Sequence, residues 1–146
     1  MNILISRCLL GEPCRYDGKS KPHTIAHRLR RAGHNLIPVC PEVIGGLPTP
    51  RPPAERQKDG RVVNQLGGDV TAQYRLGAEL ALETAKRENC VLAVLKARSP
   101  SCGSAEIYDG TFSRTLVPGQ GVAAAWLEQA GIPVVDEDHV PAELFE

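Results

Sequence analysis

Long hydrophobic runs are absent from this chain. No apolar stretch approaches the ~20 residues a membrane-spanning helix requires. The apolar start Met1–Ile5 is soon followed by Arg7, which is too short for the apolar segment of a secretion signal. A surplus of one charge is also lacking. Seventeen Lys and Arg balance seventeen Asp and Glu, giving a formal net charge of zero. That balance argues against bulk nucleic-acid binding, which usually needs a basic surplus on one face. Aromatics are scarce, with two Phe, one Trp and three Tyr. No C-x-x-C pair occurs, so neither a thioredoxin-type redox pair nor a standard zinc knuckle is written here. Repeats, low-complexity tracts and domain boundaries are missing too. A cytoplasmic enzyme or binding protein is expected, formed as one domain over residues 1–146 and long enough to bury a core without disulfides or a structural metal.

Against these absences, five cysteines stand out. A reducing compartment disfavours structural disulfides as their use, and the odd count leaves one unpaired. The apolar pattern places a strand at Asn2–Arg7, a basic helix at His23–Ala32 ended by Gly33, and a buried strand at Asn35–Val39. Cys40–Pro53 holds five prolines and two glycines and reads as an ordered loop. A small hairpin around Asp59-Gly60 is expected within Arg56–Val63. Asp69 is placed to cap a long helix running to about Glu88, with small or apolar residues at helical spacing from Val70 to Ala85. Cys90–Lys96 is a short continuous apolar run, as a central parallel strand should be. A turn or hairpin through Tyr108-Asp109-Gly110, a helix at Gln120–Ala130 and a strand at Ile132–Val135 complete the pattern. The alternation predicts a small Rossmann-like α/β domain with a mostly parallel sheet and helices on both faces.

In such sheets ligands bind beyond the C-terminal ends of the strands. Cys8 directly follows the first strand, Cys40 follows the second, and Cys102 lies in the loop after the third. Three strands thus deliver one cysteine each to the same edge. Cys90 opens a strand at the opposite edge and reads as a core residue. Cys14 shares the loop of Cys8, where it either approaches the site or packs. Three gathered thiolates suit a metal centre better than nucleophilic catalysis, which needs one cysteine and a base. Thiolates select zinc, copper(I) or iron–sulfur clusters. A four-iron cluster normally takes four cysteines, so three would leave one iron open to polarise a substrate.

The motifs around these cysteines resemble the thiouracil desulfidase family, formerly known as a domain of unknown function. They are Cys8-Leu9-Leu10-Gly11 with Arg15-Tyr16-Asp17-Gly18, then Pro38-Val39-Cys40-Pro41-Glu42 with Gly45-Gly46-Leu47-Pro48 and Pro50-Arg51-Pro52-Pro53-Ala54-Glu55. Gly68-Asp69-Val70-Thr71, Lys96, Ser99-Pro100-Ser101-Cys102-Gly103 and Ile107-Tyr108-Asp109-Gly110-Thr111-Phe112 continue the series in order. The resemblance spans roughly residues 3–136 and is to the short, stand-alone form. It implies an oxygen-sensitive [4Fe-4S] cluster held by Cys8, Cys40 and Cys102, the same three that strand-end placement selects. Relatives often carry Val at the position of Cys14, which stands outside the implied ligand set. The implied reaction is non-redox: a thiolated pyrimidine gives its thiocarbonyl sulfur to the open iron, water attacks the carbon, and sulfide is released.

Water attack needs a proton acceptor. Glu42, two residues from a ligand, is the candidate general acid/base, its alternative being a solvated loop carboxylate. Ser101 and Ser99 flank the third ligand and are placed to orient water or substrate, or to serve turn chemistry. Tyr16 and Tyr108 can stack on a pyrimidine or pack. Arg15, Arg51 and Lys96 either give the site positive potential or pair with surface carboxylates. Gly11–Ser20 ends like a P-loop, but six residues separate its glycines instead of four, which excludes a triphosphate cradle. His23 and His27 have i,i+4 spacing among arginines and read as a solvated basic face. The competing reading is a non-catalytic iron–sulfur or zinc sensor, which needs ligands but no acid/base group. A simple thiol enzyme built on Cys40 lacks a histidine near a strand end.

Overall fold

A computed structural model describes residues 1–146. Strand β1 (Asn2–Ser6) runs parallel to β2 (Asn35–Val39) on one side and to β5 (Leu92–Val94) on the other, and β8 (Val134–Val135) extends the sheet in parallel beyond β5. The order is β2-β1-β5-β8. Alternation along the strands sorts side chains to two faces. Ile3, Ile5, Leu92 and Val94 pack with Ile25 and Leu29 of helix α1 (Thr24–Arg31). Leu4, Ala93 and Leu95 pack with Ala81 and Ala85 of helix α3 (Thr71–Arg87) and with Ala124 and Leu127 of helix α4 (Val122–Gln129). The expected α/β class is therefore observed, with helices on both faces and a fully parallel main sheet.

Two small antiparallel ribbons lie outside that sheet: β3 (Ala54–Arg56) with β4 (Val62–Asn64), and β6 (Glu106–Tyr108) with β7 (Leu116–Pro118). The first is the hairpin expected around Asp59-Gly60, with Gly60 at φ +91°. The second turns through residues 109–115, a wider loop than Tyr108-Asp109-Gly110 suggested. The long helix starts at Thr71, later than an Asp69 cap requires. Asp69 Oδ1 nevertheless accepts the Thr71 amide at 2.9 Å and satisfies one of the free donors of the first turn. His23 is not part of a basic face: it precedes α1 and its Nδ1 accepts the Ile25 amide at 3.0 Å.

The proline-rich segment after Cys40 contains one turn of helix, α2 (Pro41–Ile44). Proline at the first helical position and an acidic residue in the first turn both suit a helix start. This turn packs backbone to backbone against α3. A Cβ on Gly77 would lie 2.0 Å from the Pro41 carbonyl oxygen, and one on Gly45 would lie 2.1 Å from that of Gln73. Glycine at both positions brings Cys40 and Glu42 close to the long helix. Gly121 plays the same part for the third loop, since its Cβ would lie 2.4 Å from the Ser101 carbonyl carbon. No helix is long and apolar enough to cross a membrane.

Candidate active site

A cavity of about 720 Å³ opens at the C-terminal edge of the main sheet. Cys8 reaches it from a 3-10 turn (Arg7–Leu10) that follows β1, Cys40 from the junction of β2 and α2, and Cys102 from the loop beyond β5. The strand-end argument thus brings its three cysteines to one cavity. Cys14 lines the same cavity. It lies beside Cys40 and Cys8, which act on its titration, and its carbonyl oxygen accepts from Cys40 Sγ at 3.7 Å. Cys90 stands apart, packed among Ala81, Ala85 and Leu127.

Electrostatics keep the thiols of Cys14, Cys40 and Cys102 protonated in the metal-free chain. Contact with the Cys14 thiol and then burial raise Cys40 well above the ordinary thiol range. Burial pushes Cys102 up to about 12, against the opposing effect of the nearby Ser6 hydroxyl. For Cys14 the Cys40 contact acts downward, and the Cys8 contact and burial outweigh it. Such thiols lose their protons when a metal replaces them.

Glu42 points into the cavity from α2 and is not a solvated loop carboxylate. Arg51 holds it: Nε donates to Oε2 at 2.9 Å and Nη2 donates to the same oxygen, with the two side chains 5% and 12% exposed. Arg51 also donates to the carbonyls of Pro48 and Cys14 at 3.2 and 3.0 Å. One buried guanidinium therefore fixes the carboxylate and two site loops together. The remaining oxygen, Oε1, lies 3.4 Å from Ser99 Oγ. Tyr74 is buried near Glu42, and burial followed by that negative charge raises its pKa.

Ser99 Oγ accepts the amides of Ser101 and Cys102, each at 3.1 Å, so it shapes the turn that presents Cys102 while touching Glu42. Ser101 is fully buried behind the cavity wall, and its Oγ has no hydrogen-bond partner. Cys102 follows it directly in the chain. An unsatisfied buried hydroxyl costs about 1–3 kcal/mol, and a thiolate at Cys102 would accept its proton. Together with four thiols at one cavity, this orphan donor fits an anionic thiolate-bound cluster. A cluster offers a separate iron to each sulfur.

Around this centre, Lys96 pairs with buried Glu137 at 3.0 Å and Arg7 pairs with Glu12. Arg15, Lys21, Arg98 and Arg114 also edge the cavity, giving it a positive field that favours an anionic cluster. Tyr16, Tyr108 and Phe112 are its aromatic edge. Arg98, Phe112 and Arg114 adopt left-handed backbone at φ +70°, +57° and +60°. Non-glycine residues held in that region concentrate at functional sites. Glu55, itself buried, receives the amides of Gly110 and Phe112 at 2.9 and 3.2 Å and anchors their loop.

The sequence alone missed three of these features. Arg51 appeared only as a source of potential or a surface partner, Tyr74 only as part of a helical apolar stripe, and Glu55 only inside a motif. The pairing of Glu42 with Arg51 was in principle detectable, because a carboxylate and a guanidinium in one proline-rich loop have few other partners.

A parallel α/β sheet whose C-terminal edge carries thiols, a buried carboxylate–guanidinium pair and an aromatic rim defines the class: a doubly wound ligand-binding domain with a thiol-built centre. The chain matches the family described as 2-thiouracil desulfurase over residues 3–139 and belongs to it. It is 40% identical over 149 residues to the uncharacterized protein YbbK of Bacillus subtilis (strain 168), covering 94% of this chain and 97% of that protein. It is also similar to a solved structure of the [4Fe-4S]-dependent thiouracil desulfidase TudS. That similarity has 48% identity and a TM-score of 0.89, covering 98% of this chain and 94% of the other.

Proposed function

We propose that this chain is an iron–sulfur-dependent desulfidase that removes sulfur from a thiolated pyrimidine such as thiouracil. The observation that carries the reading is the meeting of Cys8, Cys40 and Cys102 in one cavity with the Arg51-held Glu42. Cys8, Cys40 and Cys102 would hold a [4Fe-4S] cluster. When bound, it supplies a Lewis-acidic iron for the thiocarbonyl sulfur, which makes the attached carbon electrophilic. Overall, a thiocarbonyl and one water become a carbonyl and hydrogen sulfide, with no net electron transfer.

The remaining roles fall to side chains. Glu42 Oε1 accepts a proton from the attacking water and returns it to the departing sulfur, while Arg51 fixes Oε2 so that only one oxygen is available. Ser99 orients that oxygen and the Cys102 turn. Ser101 acts from behind, donating to the Cys102 sulfur, because its hydroxyl does not reach the cavity. Tyr16 and Tyr108 stack on the pyrimidine ring. The substrate is a small molecule and not a nucleic acid, and free thiols at all five cysteines suit a reducing cytoplasm. A sensor would have no use for the Glu42–Arg51 pair.

The test is sulfide release from 2-thiouracil by anaerobically reconstituted protein. Release without added reductant is expected. An intact cluster that releases no sulfide from any thiolated base, or that turns over only with dithionite, contradicts the reading.

A further inference from the structure

Two carboxylates line the cavity, Glu42 and Glu55, and only one of them has a cation. Glu42 is tied to Arg51. Glu55 is 8% exposed and is held by backbone alone: its Oε1 accepts the amides of Gly110 at 2.9 Å and Phe112 at 3.2 Å. Just beyond β3, Gln57 Nε2 donates to the Gly110 carbonyl at 3.2 Å, so the two ribbons are latched from both sides of that glycine. Glu55 is thereby fixed in place with one oxygen spent. Its Oε2 takes no hydrogen bond from the chain. Nor is that oxygen sealed in the core, because Ser101 Oγ is the one fully buried side-chain polar atom without a partner. Since Glu55 lines the cavity, Oε2 is open to it. An acceptor so placed and left unpaired is costly, and a donor arriving from the cavity explains it.

We infer that Glu55 reads the substrate: its Oε2 accepts a hydrogen bond from a ring N–H of the thiolated pyrimidine. 2-Thiouracil carries an N–H on each side of its thiocarbonyl carbon. A carboxylate accepts and never donates, so Oε2 favours a ring N–H over a ring carbonyl. A methylated ring nitrogen leaves the carboxylate unpaired in the site, which is how a buried acceptor rejects the wrong ring. The two amides hold Oε1, so the acceptor is already oriented before the ring arrives. No bond to carbon forms or breaks at Glu55; it sets which ring binds and how it lies, and Glu42 handles the proton of the water.

This inference rests on the desulfidase reading above. Glu55→Gln keeps an oxygen for both amides and turns an NH2 group toward the cavity, so the loop stays latched while the acceptor becomes a donor. Wild type and variant are compared in iron content and in sulfide release from 2-thiouracil, 1-methyl-2-thiouracil and 3-methyl-2-thiouracil. Calorimetric binding of uracil, which has the same N–H groups and no sulfur to lose, is measured in parallel. Iron content should be equal, and in the variant KM for 2-thiouracil and Kd for uracil should rise by about tenfold or more, with kcat little changed. In the wild type one of the two methylated substrates should show a similar rise in KM, and Glu55→Gln should no longer discriminate against it. A methyl penalty of the same size in both proteins, or uracil bound as tightly by the variant, overturns the role of Glu55 and leaves the desulfidase standing. Should the variant fail to fold, wild-type protein that discriminates against neither methylated substrate overturns it equally. Absence of sulfide release from the wild type removes the desulfidase reading, and the uracil comparison still decides the role of Glu55.

Discussion

Glu42→Gln is the substitution that separates chemistry from scaffold. Gln keeps an oxygen for Arg51 Nε, now 2.9 Å from Oε2, but it removes the negative charge and the basic oxygen that faces Ser99. Two effects follow, of different size and in different assays. General acid–base assistance is typically worth about 10²–10⁴ in rate, so sulfide release from 2-thiouracil should fall by at least a hundredfold at unchanged iron content. The pair is nine-tenths buried, and removing one charge from such a pair costs about 3–5 kcal/mol when nothing replaces it. The retained hydrogen bond returns about 1.5–3 kcal/mol. A net destabilisation of about 1–3 kcal/mol is therefore expected in urea unfolding of the metal-free protein. Arg51→Met in the same background should destabilise further, because the Pro48 and Cys14 carbonyls lose their donor, and should not restore turnover. A drop in rate of less than tenfold in fully loaded Glu42→Gln would remove Glu42 from proton transfer.

Further outcomes follow from packing, titration and stacking. Gly77→Ala drives a Cβ into the Pro41 carbonyl and should destabilise the protein by about 1–3 kcal/mol, read as a lower Tm, while disturbing Cys40 and Glu42 enough to cut activity; an unchanged Tm would mean that the α2–α3 approach is looser than described. Raised thiol pKa values at Cys40 and Cys102 mean that the folded metal-free chain binds more protons than the unfolded one above about pH 8.5. Its stability should thus be full below that pH and decline as pH climbs toward 12, with a shallower decline in Cys102→Ala. Tyr108→Leu removes a stacking surface worth about 1–3 kcal/mol per base, so KM should rise about tenfold with kcat little changed; equal loss in kcat would point instead to a disturbed loop.

Much of the site was legible because topology carries it. Strand ends and chain order alone place Cys8, Cys40 and Cys102 together, since a parallel sheet has one ligand edge. Glu42 was legible from its distance to Cys40. What it does depends on Arg51, nine residues on across a proline-rich turn, and no periodicity links those two positions. Cys14 was unreadable for the complementary reason: a loop side chain has no direction until its turns are fixed. Ser101 shows the limit of adjacency, because the residue next to a ligand faces away from the cavity when the turn is closed by Ser99 Oγ. The main strands read well as continuous apolar runs. Helix α2 did not, since four residues are too few for a hydrophobic period and its start signals sit among five prolines.

Iron and sulfide content of Cys8→Ala, Cys40→Ala and Cys102→Ala after anaerobic reconstitution, measured beside Cys90→Ala, tests most directly whether three strand ends build the catalytic centre. Loss of the cluster in each of the first three and full loading, at about four irons per chain, in Cys90→Ala and the wild type are expected. Full loading in any of the three strand-end variants would contradict that cysteine's place in the site.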